Sequence, residues 1–105
     1  MTETRVQLGR TELHVSPVCF GCWQMGQTFW GRVPEEDLTA AVRKAIDLGI
    51  NFFDTADAYG NGVAEEILGR ALKGIPRDSF VVATKLYHHW LPERNNARQP
   101  NLSYD

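Results

Sequence analysis

Hydrophobic positions along this chain change period several times, and each change marks an element. Val6–Leu8 and Leu13–Val15 are short alternating runs on either side of Gly9–Glu12, which predicts a β-hairpin. Val18–Phe20 is a brief apolar run after Pro17, expected to be a buried strand. Gly21–Val33 is rich in Gly, Trp and Gln and reads as a loop long enough to suspect function. Pro34 then opens a helix at its first position, with Glu35 and Glu36 where they favour the dipole. Leu38, Ala41, Val42, Ala45 and Ile46 form one apolar stripe, and Gly49 supplies the stop. Ile50–Asp54 is the second strand. Val63, Ile67, Leu68, Ala71 and Leu72 give a second helical stripe that ends at Gly74 and Pro76. Phe80–Thr84 is β-branched and apolar, as a strand covered on both faces should be.

The order is hairpin, then strand, helix, strand, helix, strand. Such alternation with short connections implies parallel strands joined by crossovers. Residues 88–101 are polar and aperiodic and read as a loop, and Leu102–Asp105 looks like the approach to another helix with Ser103 as its N-cap. Three strands and two helices close nothing, and the outer strands would each present an edge. Two helices cannot cover both faces of a doubly wound sheet. The fold expected is therefore α/β, the N-terminal part of a (β/α)8 TIM barrel preceded by a β-hairpin. Residues 1–105 are read as a single incomplete domain, since such a barrel needs roughly 250 residues.

Composition adds exclusions. With 43% hydrophobic and 23% charged residues, the chain is an ordinary globular sequence. A net charge of −2 gives no electrostatic reason to expect nucleic acid or an anionic membrane as partner. The N-terminus lacks the apolar core of a secretory signal, and no run approaches a membrane span. The expected location is cytoplasmic.

The candidate chemistry lies where strands end. Asp54 closes the second apolar run, Tyr59 follows in a Gly-bounded loop, and Lys85 ends FVVATK. Taken singly, each has an ordinary explanation. Asp54 could be a turn or cap residue, Tyr59 a packing residue, and Lys85 a solvated surface lysine. Together they stand at the carboxyl ends of successive parallel strands, the face where β/α folds bind ligands. A free tyrosine, with a pKa near about 10, is a poor acid at neutral pH. A neighbouring ammonium favours the phenolate, and a carboxylate can hold that ammonium in place. The set suits protonation of a carbonyl oxygen during reduction. No side chain delivers a hydride, so a nicotinamide cofactor is required. Gly60-Asn61-Gly62 lacks the third glycine of a Rossmann fingerprint and does not directly follow a strand, so the cofactor must be bound in another way.

Cys19 and Cys22 make a C-x-x-C that could be a redox pair or half a metal site. No second cysteine pair completes a zinc set. The favoured reading is a buried Cys19 on a strand and Cys22 in the loop after it, with no metal. Adjacent His88 and His89 seldom point the same way and are placed in a loop, and His14 is read as structural. Trp23, Trp30, Tyr59, Tyr87 and Trp90 could wall a substrate pocket, Trp23 foremost, although core packing explains some of them equally well.

Several motifs agree at once with one family. Gly21-Cys22-Trp23, FDTADAYGNG, Glu65 with Leu68-Gly69, and ATK together resemble the aldo-keto reductases, over nearly the whole chain up to about Tyr87. The first loop looks most like the bacterial and potassium-channel-β-subunit-like branches. The resemblance implies a barrel closed below by the hairpin, NADPH as cofactor and small aldehydes or ketones as substrates. It implies Tyr59 as proton donor, Lys85 as the residue that makes it acidic, and Asp54 as the partner of Lys85. Gly21, Cys22, Trp23 and Asp54 would line the cofactor, with Gln27 nearby. Trp23 and Tyr59 would face the substrate. A fourth catalytic residue of the family, a histidine at the end of a fourth strand, is expected beyond the end of this chain. The 105 residues alone are therefore expected to be inactive, to bind NADPH weakly if at all, and to associate. A non-enzymatic nicotinamide-binding regulatory subunit of the same fold is the alternative, and a truncated product without function is a third reading. Substrate identity, cofactor preference and oligomeric state are left open.

Overall fold

Short apolar segments of this chain gain order by packing on one another, since neither helix is long enough to hold itself in water. The computed structural model describes residues 4–27 and 31–86. Strands β1 (Val6–Gln7) and β2 (His14–Val15) form the expected antiparallel hairpin, with Val6 opposite Val15 and Gln7 opposite His14. Its turn is closed by Leu8 N–H to Leu13 O at 2.9 Å and Thr11 N–H to Leu8 O at 3.1 Å. A three-stranded parallel sheet follows, built from β3 (Phe20–Gly21), β4 (Phe52–Asp54) and β5 (Val81–Ala83) in chain order. Helices α1 (Glu35–Asp47) and α2 (Val63–Ala71) make the two crossovers. The architecture is α/β, as the pattern of the sequence implies.

Helix α1 starts one residue later than expected, with Pro34 in extended backbone as the flanking residue. Its end is a Schellman arrangement. Gly49, at φ +98°, donates to Ile46 O at 2.9 Å, and Ile50 donates to Ala45 O at 2.9 Å. Leu38, Val42 and Ala45 are buried, whereas Ala41 is exposed at the border of the stripe. In α2, Ala64, Ile67, Leu68 and Ala71 are buried. Leu38, Val42 and the buried side chains of α2 meet Phe53, Cys22, Met25 and Phe80 in one core, where each large apolar side chain contributes on the order of 1.5–3 kcal/mol. Phe53 and Phe20 stack obliquely, 5.7 Å between ring centres. Arg43 fixes the helix pair by donating to Ala71 O at 2.8 Å and Lys73 O at 2.7 Å.

The strand positions depart from the sequence reading in one consistent way. Val18–Phe20 is not a buried strand: pairing begins at Phe20, and Val18 is 62% exposed. Cys19 is likewise exposed rather than buried. Val81–Ala83 is half-buried throughout, not covered on both faces. The reason is common to all three. Among the described strands β3 and β5 each have one paired neighbour, as the sequence reading expects of outer strands, so hydrophobicity alone overstates their burial.

Two short 3-10 helices add to the elements read from the sequence, Trp23–Gly26 within the segment read as a loop and Arg77–Ser79 just before β5. The hairpin docks at the amino end of β4 through Asn51. Ser16 N–H donates to Asn51 Oδ1 at 2.7 Å, and Asn51 Nδ2 donates to His14 O at 3.1 Å. The carboxyl ends of the strands are thereby left open on the opposite side. Among the described residues no helix is long and apolar enough to cross a membrane. The readings made for Trp30, Tyr87, His88, His89, Trp90, the polar stretch 88–101 and Ser103 lie outside the described residues.

Candidate active site

Strand register brings the candidate residues to one level. Gly21 pairs with Asp54, and Asp54 pairs with Ala83, so three strand ends stand side by side. Pairing continues just past them. Cys22 N–H donates to Asp54 O at 2.9 Å, Thr55 N–H to Ala83 O at 2.8 Å, and Asp57 N–H to Lys85 O at 3.3 Å. Side chains two residues apart on a strand share a face. Lys85 therefore points to the same side as Ala83, toward Asp54 on the neighbouring strand.

The three residues singled out from the sequence do come together. Lys85 Nζ lies 3.1 and 3.2 Å from the two Asp54 carboxylate oxygens and 2.8 Å from Thr55 O. It also donates to Tyr59 Oη at 3.4 Å, a long contact. The ammonium lies 5.2 Å from the centre of the Tyr59 ring. Its small burial works against the charge. Hydrogen bonds to Asp54 and Tyr59 outweigh that, with help from the charge of Asp54, and Lys85 titrates above the ordinary lysine value. Because Tyr59 Oη accepts from Lys85, its own proton is free in direction to point at a third group.

The Asp54–Lys85 pair is open to water, with side chains 40% and 53% exposed. An exposed pair of this kind adds little to folding stability. Its effect is to fix where the ammonium sits.

Trp23, half-exposed, stands beside Tyr59 with ring centres 6.5 Å apart and planes inclined by 39°. Gly21 is exposed at the same edge, with open space where a Cβ would stand. Cys22, expected at the same place, has its side chain turned inward. It has no exposed surface and belongs to the core, so its thiol lines no open pocket. Burial, with the negative charge of Asp54 and to a lesser degree Cys19, pushes that thiol up to about 12, only partly offset by Lys85. Gln27 also differs. Its amide donates to Val33 O at 2.8 Å and accepts from Val33 N–H at 2.7 Å, so it ties the first loop to itself. Among the described residues no three His, Cys, Asp or Glu side chains cluster as a metal site.

Two participants escaped the sequence reading. The Thr55 carbonyl is the nearest acceptor to Lys85, and backbone groups carry no sequence signature. Gly26 lies in the buried turn beneath Tyr59. The only sequence signal for it is its spacing of three from Trp23.

Residues 17–103 match the model of the Aldo/keto reductase family. The chain is 50% identical over 80 residues to an L-galactose dehydrogenase of Arabidopsis thaliana, a match covering 74% of this chain and 25% of that protein. It is 42% identical over 82 residues to a probable voltage-gated potassium channel subunit beta of Oryza sativa subsp. japonica, covering 76% of this chain and 24% of the relative. The chain thus spans about a quarter of the length of these curated relatives. Among solved structures, aldo-keto reductase AKR11C1 from Bacillus halodurans in its holo form superposes with a TM-score of 0.74 at 34% identity, over 86% of this chain and 28% of that one. An aldo-keto reductase from Klebsiella pneumoniae in complex with NADPH gives 0.68 at 31% identity, over 94% of this chain and 32% of that one. The family match takes in β3 to β5 and every residue of the Asp54–Tyr59–Lys85 cluster, and this chain belongs to the aldo/keto reductase family.

Proposed function

We propose that this chain supplies the proton-donating side of a cytoplasmic, NADPH-dependent oxidoreductase that reduces small aldehydes or ketones to alcohols. In this reading residues 1–105 are the N-terminal part of a (β/α)8 barrel. One observation carries it: Lys85 Nζ is held between the Asp54 carboxylate and Tyr59 Oη. A phenol with an ammonium at its oxygen and a carboxylate behind the ammonium is a directed acid.

The donor set itself tests whether a nicotinamide fits. It can give a proton and has no means of giving a hydride, which a bound nicotinamide supplies. Gly21, Trp23 and Asp54 are the exposed or half-exposed groups at the strand ends that would hold it. Tyr59 gives its proton to the carbonyl oxygen as negative charge develops there. Lys85 stabilises the phenolate left behind, and Asp54 keeps Lys85 in place. Trp23 and Tyr59 present a shared aromatic face to the substrate. By itself the chain holds one side of the site, so we assign it no turnover of its own.

The test is aldehyde-dependent NADPH oxidation by the native protein and its Tyr59→Phe variant. A loss of about 10²-fold or more with cofactor binding retained supports the reading. Unchanged turnover in Tyr59→Phe overturns it. A second reading is favoured by the likeness to the channel subunit: a nicotinamide-binding regulatory protein that keeps the cluster. Cofactor binding by the native protein without turnover on any carbonyl would establish that one.

A further inference from the structure

We propose that Gly26 is a positioning residue for Tyr59, and that the 3-10 helix Trp23–Gly26 acts as a two-point template for the phenol. The inference rests on the reading of Tyr59 as proton donor and goes beyond it, to what fixes Tyr59 in place.

In a 3-10 helix, side chains at i and i+3 lie one above the other. Trp23 and Gly26 therefore share a face, and that face meets Tyr59 twice. Trp23 stands against its ring, 6.5 Å between centres. Gly26 stands against its peptide. A Cβ built on Gly26 would lie 2.7 Å from Gly60 N and 2.9 Å from the Tyr59 carbonyl carbon. Both are inside the 3.0 Å that real Cβ atoms essentially never cross. The reverse holds as well, since a Cβ on Gly60 would lie 2.7 Å from Gly26 Cα. This is backbone on backbone, so no side-chain rotation can relieve a crowded contact.

Crowding there has one direction of escape. Below the 3-10 helix, Cys22 and Met25 are fully buried in the core against α1, α2 and Phe53, and the core resists compression. The loop above, Tyr59–Gly62, is only half-buried, with Asn61 exposed. A methyl group on Gly26 would push the Tyr59–Gly60 peptide outward and carry the phenol with it. Its contact with Lys85 is already long at 3.4 Å, so a small displacement breaks it.

Two readouts separate positioning from general damage. The first is the set of NOE cross-peaks between the Tyr59 ring and the Lys85 side chain, recorded on the native protein. The second is reduction of 4-nitrobenzaldehyde by the native protein with NADPH. In Gly26→Ala the cross-peaks are expected to disappear, and kcat to fall about 10-fold to 100-fold, as a misplaced reacting group would cause. KM should change by less than kcat does, because Trp23 keeps its place while the proton donor moves. Gly69→Ala, a glycine on α2 with open space around it, should alter neither. Cross-peaks and kcat both retained in Gly26→Ala overturn the proposal. If Gly26→Ala does not fold, Trp23→Leu at the half-exposed end of the template replaces it. Loss of the Tyr59–Lys85 cross-peaks there supports the template, and their retention overturns it. The NOE arm is independent of catalysis. If Tyr59→Phe keeps full turnover while Gly26→Ala loses the cross-peaks, the proton-donor reading fails and the positioning stands.

Discussion

Asp54 and Lys85 meet because Asp54, at the end of β4, is the register partner of Ala83, and Lys85 follows two residues beyond the end of β5. A register slip of one residue would turn Lys85 to the other face. The ion pair at 3.1 Å is thus a product of strand pairing, set 31 residues apart in sequence.

Replacing Lys85 by Met should therefore separate activity from stability. Turnover of the native protein is expected to drop about 10²-fold or more, the size of a lost acid–base contribution. The denaturation midpoint should hardly move, because the pair is exposed. The pH dependence has a definite sign. Lys85 titrates above its ordinary value, so its contribution is complete below the unfolded lysine value of about 10.4. It fades only as pH rises through the higher folded value. Urea titrations of both proteins between neutral pH and pH about 11 would check the sign: the small difference should shrink at the alkaline end, and a stabilising difference that grew with rising pH would contradict it.

Iodoacetamide should distinguish the two cysteines. Cys19 is exposed and Cys22 is fully buried, so the native chain is expected to take one label and the unfolded chain two, read by mass spectrometry. Cys19 should react more slowly than a free thiol. Partial burial and the charge of Asp54 raise its pKa, against a smaller opposing effect of Lys85. Cys22, pushed up to about 12 by burial first, stays neutral when folded. Its contribution to stability is complete below the unfolded value of 9.0 and declines as pH rises toward about 12. Cys22→Ala should flatten that alkaline decline.

Thr55 offers a stabilising change. It is buried, and its hydroxyl has no hydrogen-bond partner among the described residues. A buried hydroxyl without a partner costs about 1–3 kcal/mol, so Thr55→Val should raise unfolding free energy by about 1 kcal/mol. The backbone groups that pair with Ala83 and Lys85 are unaffected by the exchange. A loss of stability on urea titration would mean that the hydroxyl is satisfied after all.

Arg43→Met tests the tie between the helices. It removes two charge-assisted hydrogen bonds to the carbonyls of Ala71 and Lys73 while keeping most of the aliphatic stem. Stability should fall by about 1–3 kcal/mol, with no change in the Tyr59–Lys85 contact by NMR. A fall in that contact would instead couple the helix pair to the site.

The sequence by itself determined the main helices, their order among the strands and the residue types of the candidate cluster. Period and stop signals located both helices, with Gly49 placed as its positive φ requires, and the order of elements dictated a parallel sheet. Asp54, Tyr59 and Lys85 could be named because their types and their positions at strand ends are local properties of the chain. Tertiary structure alone decided what depends on neighbours. It left Val18 and Cys19 exposed ahead of Phe20, the first paired residue of β3, despite their apolar setting. It turned the Cys22 side chain into the core and closed the amide of Gln27 on Val33. It also set the backbone of Gly26 against that of Gly60. Burial and close approach are properties of pairs of segments brought together by folding, and two glycines 34 residues apart carry no sign in the sequence that they touch.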